Sequence, residues 1–254
     1  MKKIFITALA IAITACAFAQ EYKLAKSSGK LLIREVNRVT IEGTSGNEII
    51  FSSIDGSRDK DRRAEGLRAV SAMGMEDNTG IGLSVADKGT TYEVYQLKKM
   101  DGPRVKILVP KGVVVSYSHT SPYGSDIEFK NFDGEIEVST VHNGVHLSNL
   151  TGPVDVKTVH GEIEADFNTN IKGPISLVST HGLVDITIPA ATKGNMNMST
   201  TWGEIFVDPA FKLEIEPKTD WVKYGSGKIN GKINGGGLDF TLSSTHDNIY
   251  LRKK

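Results

Sequence analysis

Three histidines, His142, His160 and His181, recur at steps of 18 and 21 residues, each two positions after a Thr or Ser. Imidazole is a common metal ligand and titrates near neutrality, so a regular histidine spacing raises the question of a zinc or copper centre. Zinc needs ligand nitrogens about 2.0–2.1 Å away in a tetrahedron. A second set, His146, Glu164 and Asp185, stands four residues after each ring and would suit a weak divalent-cation site. Outward carboxylates Glu135, Glu137, Glu162 and Glu164 would be the candidates for sugar-cleaving chemistry, which uses paired carboxyl groups. No G-x-S-x-G, H-E-x-x-H or phosphate-loop motif accompanies them.

The segments that position these side chains repeat. TVHNGVHL begins at Thr140, TVHGEIEA at Thr158, STHGLVDI at Ser179, TTWGEIFV at Thr200 and STHDNIYL at Ser244. The ring-bearing members are then His142, His160, His181, Trp202 and His246; Tyr224 splits the last interval, and Tyr123 extends the series upstream. A period near twenty residues marks a repeat architecture. Each period holds two short runs in which apolar and polar residues alternate, as a strand with one buried face requires. Glycines at Gly134, Gly152, Gly173 and Gly194, and again at Gly161, Gly182 and Gly203, punctuate the runs and are expected to supply positive φ at corners. The reading is all-β: a single-stranded parallel β-solenoid (β-helix) with irregular N-terminal turns. Counting back by twos from His160 reaches Thr158, Val156 and Val154, which places the rings on the buried face. Trp202 and Tyr224 cannot replace metal ligands but can replace a ring in an aromatic stack. The column therefore reads as a structural ring ladder at one corner, with no cofactor implied.

Composition bounds the function classes. The 254 residues carry 30 basic and 30 acidic side chains, so a bulk electrostatic partner such as nucleic acid is not expected. Residues 1–19 read as a signal peptide: Lys2 and Lys3, an apolar run, and Ala17-Phe18-Ala19 before the cut. Ile13-Thr14-Ala15-Cys16 offers an alternative lipobox that would leave a lipid anchor on Cys16. Cys16 is the only cysteine, so an internal disulfide is excluded. Residues 20–100 read as irregular turns and a cap, with strands over Leu31 to Ile41, Glu48 to Ile54, Ile81 to Val85 and Tyr92 to Leu97. A short helix over Ala64 to Met75 is weakened by Gly66 and Gly74. Residues 101–254 read as the regular repeats.

The stretch VKILVPKGVVV, with FDGEIEVSTVHNGVHLSNLTGPVDVKTVHGEIEA after it, resembles the bacterial exported β-strand-repeat family whose members are named putative adhesins, a domain of unknown function. The resemblance covers roughly residues 30 to 254. It implies a parallel β-solenoid and an exported module, in the periplasm or on the cell surface, that binds a protein or glycan of the cell envelope through its outer faces. It carries over no catalytic residue. Where members of the family have Ser ahead of the corner glycine, this chain has His142, His160, His181 or Trp202. The alternative reading is a carbohydrate-active enzyme or a divalent-metal protein on the same scaffold.

Overall fold

The computed structural model describes residues 21–55, 62–64, 66–215 and 227–254. The expected signal peptide, Cys16 and Tyr224 lie outside them. The strands are β1 (Glu21–Leu24), β2 (Ser28–Arg34), β3 (Arg38–Thr44), β4 (Ile49–Ser53), β5 (Leu83–Asp87), β6 (Thr91–Gln96), β7 (Arg104–Pro110), β8 (Gly112–His119) and β9 (Ile127–Lys130). They continue as β10 (Ile136–Thr140), β11 (Val145–Leu150), β12 (Val154–Thr158), β13 (Ile163–Phe167), β14 (Ile175–Ser179), β15 (Val184–Ile188), β16 (Gly194–Thr200) and β17 (Ile205–Val207). The last four are β18 (Leu213–Ile215), β19 (Gly227–Ile233), β20 (Leu238–Ser244) and β21 (Ile249–Lys253). Helix among the described residues is a single 3-10 turn, Arg62–Ala64, so the short helix considered from Ala64 onward does not form. Gly66 and Gly74 instead hold φ of 77° and 76°.

Two sheets face each other across one core. From β6 to β17 successive strands alternate between them, so that each pair, such as β12 and β13, makes one rung. The inward column Ile136, Val154, Ile175, Phe240 and Met196 is in register across one sheet. Ile127, Val145, Ile163, Val184 and Ile249 do the same across the other. All ten are buried, and the residues between them point outward, as period-two alternation demands. Thus the repeat in the sequence becomes a stack of rungs sharing a thin apolar interior.

Rung order in space departs from rung order in sequence. The orders β7-β3-β9 in one sheet and β6-β2-β8 in the other put the β2–β3 rung between β6–β7 and β8–β9. At the far end β15-β21-β17 and β14-β20-β16 put the final rung, β20–β21, between β14–β15 and β16–β17. The expected coil climbs one rung at a time; here each end is tucked one rung inward. The sheets are also mixed. β1, β4, β5, β18 and β19 pair antiparallel at the ends, while the strands between run parallel. The purely parallel expectation is corrected accordingly. Antiparallel strands cap a stack by giving its last parallel strand a partner without needing another full crossover. Irregularity is not confined to the N-terminal side: the glycine-rich run Ile229 to Gly237, which reads as an irregular turn, is strand as far as Ile233, and the bend comes at Asn234, Gly235 and Gly236, with φ of 51°, 85° and 86°. The run from Leu31 to Ile41 is two strands rather than one, broken at Glu35, where φ is 52° and the chain turns from one sheet to the other.

Candidate functional site

The ring motifs sit at the corner between the two sheets. Thr140, Thr158, Ser179, Ser244 and Thr200 end their strands in mutual register and are all buried. Their hydroxyls tie the corner together. Thr158 Oγ1 donates to Gly161 O at 2.6 Å, Ser179 Oγ to Gly161 O at 3.0 Å and Ser244 Oγ to Gly182 O at 2.9 Å. Gly182 N and Asp247 N donate back to Ser179 Oγ and Ser244 Oγ at 2.8 and 3.0 Å. The rungs stay bonded through the bend as well: His160 N reaches Val141 O, His181 N reaches Val159 O and His246 N reaches Thr180 O, at 2.9, 2.8 and 3.0 Å.

The rings themselves point to solvent. His142, His160, His181 and His246 are exposed, so the inward placement expected from parity is corrected. Strand geometry ends at Thr140, Thr158, Ser179 and Ser244, and beyond them the turn no longer alternates faces. The four imidazoles form a continuous stack with centroids 5.6, 4.9 and 4.4 Å apart and planes within 20°. His246, not Trp202, follows His181, because the last rung is tucked in at that place. Trp202 is 75% exposed and Tyr123 48%, and among the described residues neither joins the stack. His246 Nδ1 donates to Thr180 O at 3.0 Å, which fixes that ring's orientation. Parallel rings at these spacings direct their in-plane lone pairs side by side rather than at one point, and among the described residues no group of three or more His, Cys, Asp or Glu is placed to hold a metal ion. Partial loss of hydration, and then the charges of His246 and His160, hold the His181 imidazole below its ordinary pKa.

The corner glycines are required for a different reason than positive φ. Gly161, Gly182 and Gly203 are absent from the residues in the left-handed region. A Cβ on Gly161 would lie 1.9 Å from Asn143 O, one on Gly182 2.2 Å from Gly161 O, and one on Gly203 2.1 Å from Asp247 O. The backbone of the neighbouring rung occupies that space. Gly152 and Gly173, at φ of 81° and 65°, do meet the conformational expectation.

One ring escapes the motif reading. His119 is in register with Thr140 and takes the first place of the hydroxyl column, fully buried. Its signal in the sequence is the alternation Val113, Val115, Tyr117, His119. Asn37 Nδ2 donates to Lys99 O, which turns Asn37 Oδ1 toward His119 Nε2 at 3.1 Å and places a proton on that nitrogen. Nδ1 and the nearby Asn143 Oδ1 are buried without a hydrogen-bond partner. Burial pushes the imidazole pKa down, with the Glu35 carboxylate pulling it partly back.

On the outer face of the other sheet the structure does bring His146, Glu164 and Asp185 into one row, continued by Tyr250 and Phe206. Their charges are spent on neighbours. His146 Nδ1 lies 3.1 Å from Glu164 Oε2, and its Nε2 3.6 Å from Asp126 Oδ2. Asp185 accepts from Arg252 Nε at 2.8 and 2.9 Å, and Asp166 from Lys254 Nζ at 2.9 Å. An open depression of about 310 Å³ runs along this row. Of the other carboxylates considered, Glu137 is bound by Lys30 on the opposite sheet face at 2.7 Å, while Glu135 and Glu162 are exposed.

The Toastrack DUF4097 family model matches residues 11–252. The chain belongs to that family. Its domain is one of unknown function, in keeping with the resemblance drawn from the repeats, and its β-rich repeat fold is the one described above. Among solved structures the chain is similar to a putative cell adhesion protein from Clostridium sporogenes ATCC 15579, at 12% identity and a TM-score of 0.46, over 93% of this chain and 100% of that one. It is also similar to a putative adhesin from Bacteroides fragilis NCTC 9343, at 13% identity and a TM-score of 0.33, over 92% and 96% of the two chains. No curated protein matches the sequence. No helix among the described residues is long and apolar enough to cross a membrane.

Proposed function

We propose that this protein is an exported, non-enzymatic module of the cell envelope that binds a protein or glycan partner through its outer faces. The observation that carries the reading is how the outer carboxylates are used. Glu137, Glu164, Asp166 and Asp185 are each engaged by a cation or imidazole from one or two strands away in the same sheet. Sugar hydrolysis needs two carboxyl groups flanking one bond, one of them free to carry a proton. A row of laterally paired charges on an open surface is instead what a recognition face presents. The zero formal net charge supports a partner that is not nucleic acid.

Fluorescently labelled protein incubated with isolated envelopes tests the reading. Saturable binding that excess unlabelled protein displaces is the expected result, and its absence over a range of pH and salt overturns it. The enzymatic alternative rests on Glu162 and Glu164. Release of reducing sugar from a polysaccharide panel, lost in Glu162→Gln or Glu164→Gln, would replace the binding function with catalysis.

A further inference from the structure

The end of the second sheet carries a cluster that the envelope-binding reading does not yet use. Phe206 lies on β17, the edge strand of its sheet, and is 44% exposed. It stacks on Tyr250 of β21 with centroids 5.2 Å apart and planes 10° from parallel. Tyr250 is sandwiched, since the Arg252 guanidinium lies 5.1 Å from its centroid on the same strand. Phe206 is not. Among the described residues no strand of the sheet lies beyond β17 to cover the ring on the side away from Tyr250. Trp202, 75% exposed, is four residues before Phe206 and, by chain reach, at most about 14 Å away. Every other phenylalanine among the described residues is buried, so a ring held this far into water needs a physical reason.

We infer that this end of the sheet is a binding site for an uncharged glycan. The inference rests on the proposed envelope-binding role and names its ligand. A pyranose presents a CH face that packs on an aromatic ring and a rim of hydroxyls that both donate and accept. Phe206, backed by Tyr250, supplies the ring. The adjoining depression supplies the rim: Glu164, Asp166 and Asp185 as acceptors, with Arg252, Ser148 and His146 beside them. Most of these side chains are already oriented by a neighbour, Arg252 by Asp185, Asp166 by Lys254, Glu164 by His146 and the Tyr250 hydroxyl by Asn248 Nδ2 at 3.0 Å, so little freedom is lost on binding. Charge selects the class. Glu164, Asp166 and Asp185 outnumber Arg252 along the depression, which leaves its lining acidic. An anionic polymer is repelled, while neutral hydroxyls find acceptors.

Affinity electrophoresis in gels containing hydroxyethylcellulose, xylan, laminarin or mannan, with polygalacturonate as the anionic comparison, tests the site. The wild-type protein is expected to be retarded by at least one neutral polymer and not by polygalacturonate. Phe206→Ala should weaken that retardation about tenfold or more, with its thermal midpoint unchanged, whereas Ser176→Ala on the opposite sheet should leave it intact. Free migration in all four neutral polymers, retention by polygalacturonate alone, or equal retardation of Phe206→Ala and wild type overturns the inference. Envelope treatments separate this failure from failure of the wider reading. Envelope binding that survives periodate oxidation of glycans and is abolished by protease would assign a protein partner, leaving an envelope-binding module with no glycan site.

Discussion

At the scale of single residues, two glycines that look alike in the sequence do different work. Gly161 has ordinary φ but no room, and Gly66 has room but a φ of 77°, with nothing within 4 Å of where a Cβ would stand. Gly161→Ala pushes a methyl into the carbonyl of the next rung, which cannot step aside without breaking the ladder. We expect a loss of about 1–3 kcal/mol in urea unfolding. Gly66→Ala should cost only about 1 kcal/mol, the conformational penalty alone. Equal losses at the two positions would refute the distinction. His119 gives a pH signature. Burial lowers its folded-state pKa, so the unfolded chain takes up a proton that the folded chain resists. Its contribution to stability is complete above the unfolded value of about 6.5 and diminishes as pH falls below it. The difference in unfolding free energy between wild type and His119→Gln should therefore shrink on acidification through that range; parallel curves would place the proton elsewhere.

At the scale of elements, the corner works as a hydroxyl column rather than an aromatic one. Ser179 Oγ donates to Gly161 O and accepts from Gly182 N, so one hydroxyl links two rungs. Ser179→Ala leaves the Gly182 N–H buried and unpaired and takes from Gly161 O one of its two hydroxyl donors, Thr158 Oγ1 remaining, and is expected to cost about 1–3 kcal/mol. Replacing an exposed ring, as in His142→Ala, should change thermal stability far less, and a larger loss there would return the structural role to the imidazoles. Much of this was readable in advance. Alternation locates the strands that lead into the ring motifs, and the column of Thr140, Thr158, Ser179, Thr200, Val222 and Ser244 follows from it, Val222 lying outside the described residues. The error lay one step beyond the strand ends. Parity is a property of extended chain, and extrapolating it through a corner turned His142, His160 and His181 inward when they face water. Spacing alone puts Tyr123 in the ring ladder, where it does not stack, while parity within β8 points to His119, which takes the first place of the hydroxyl column beside Thr140.

At the scale of the whole molecule, what the sequence concealed was the order of the rungs. The interval from Trp202 to His246 reads as a missing repeat, but His246 stacks on His181 and the β16–β17 rung lies beyond it. Periodicity fixes that rungs stack; it carries no information on which rung touches which, because every rung offers its neighbours the same apolar columns. Removing residues 238–254 tests the arrangement. In a sequential coil this trims an end, and the remaining rungs keep their contacts. Here it removes the only parallel partner that β16 and β17 have among the described residues, and uncovers β14 and β15. Hydrogen exchange should then lose protection in β16 and β17 while β10 to β13 remain slow. Retained protection in β16 would mean that it re-pairs with β14 and that the tucked order is dispensable.

The same tucked ends set a schedule for folding. A coil that stacks in sequence can grow as it emerges, each rung landing on the one before. This chain cannot complete either end that way. The β2–β3 rung waits, with both edges open, for partners that extend to Lys130, and the gap between β14–β15 and β16–β17 closes only when the last strand, ending at Lys253, arrives. Strands β20 and β21 are thus a latch: until they are delivered the stack stays open between β14–β15 and β16–β17, and once they are in place that end closes.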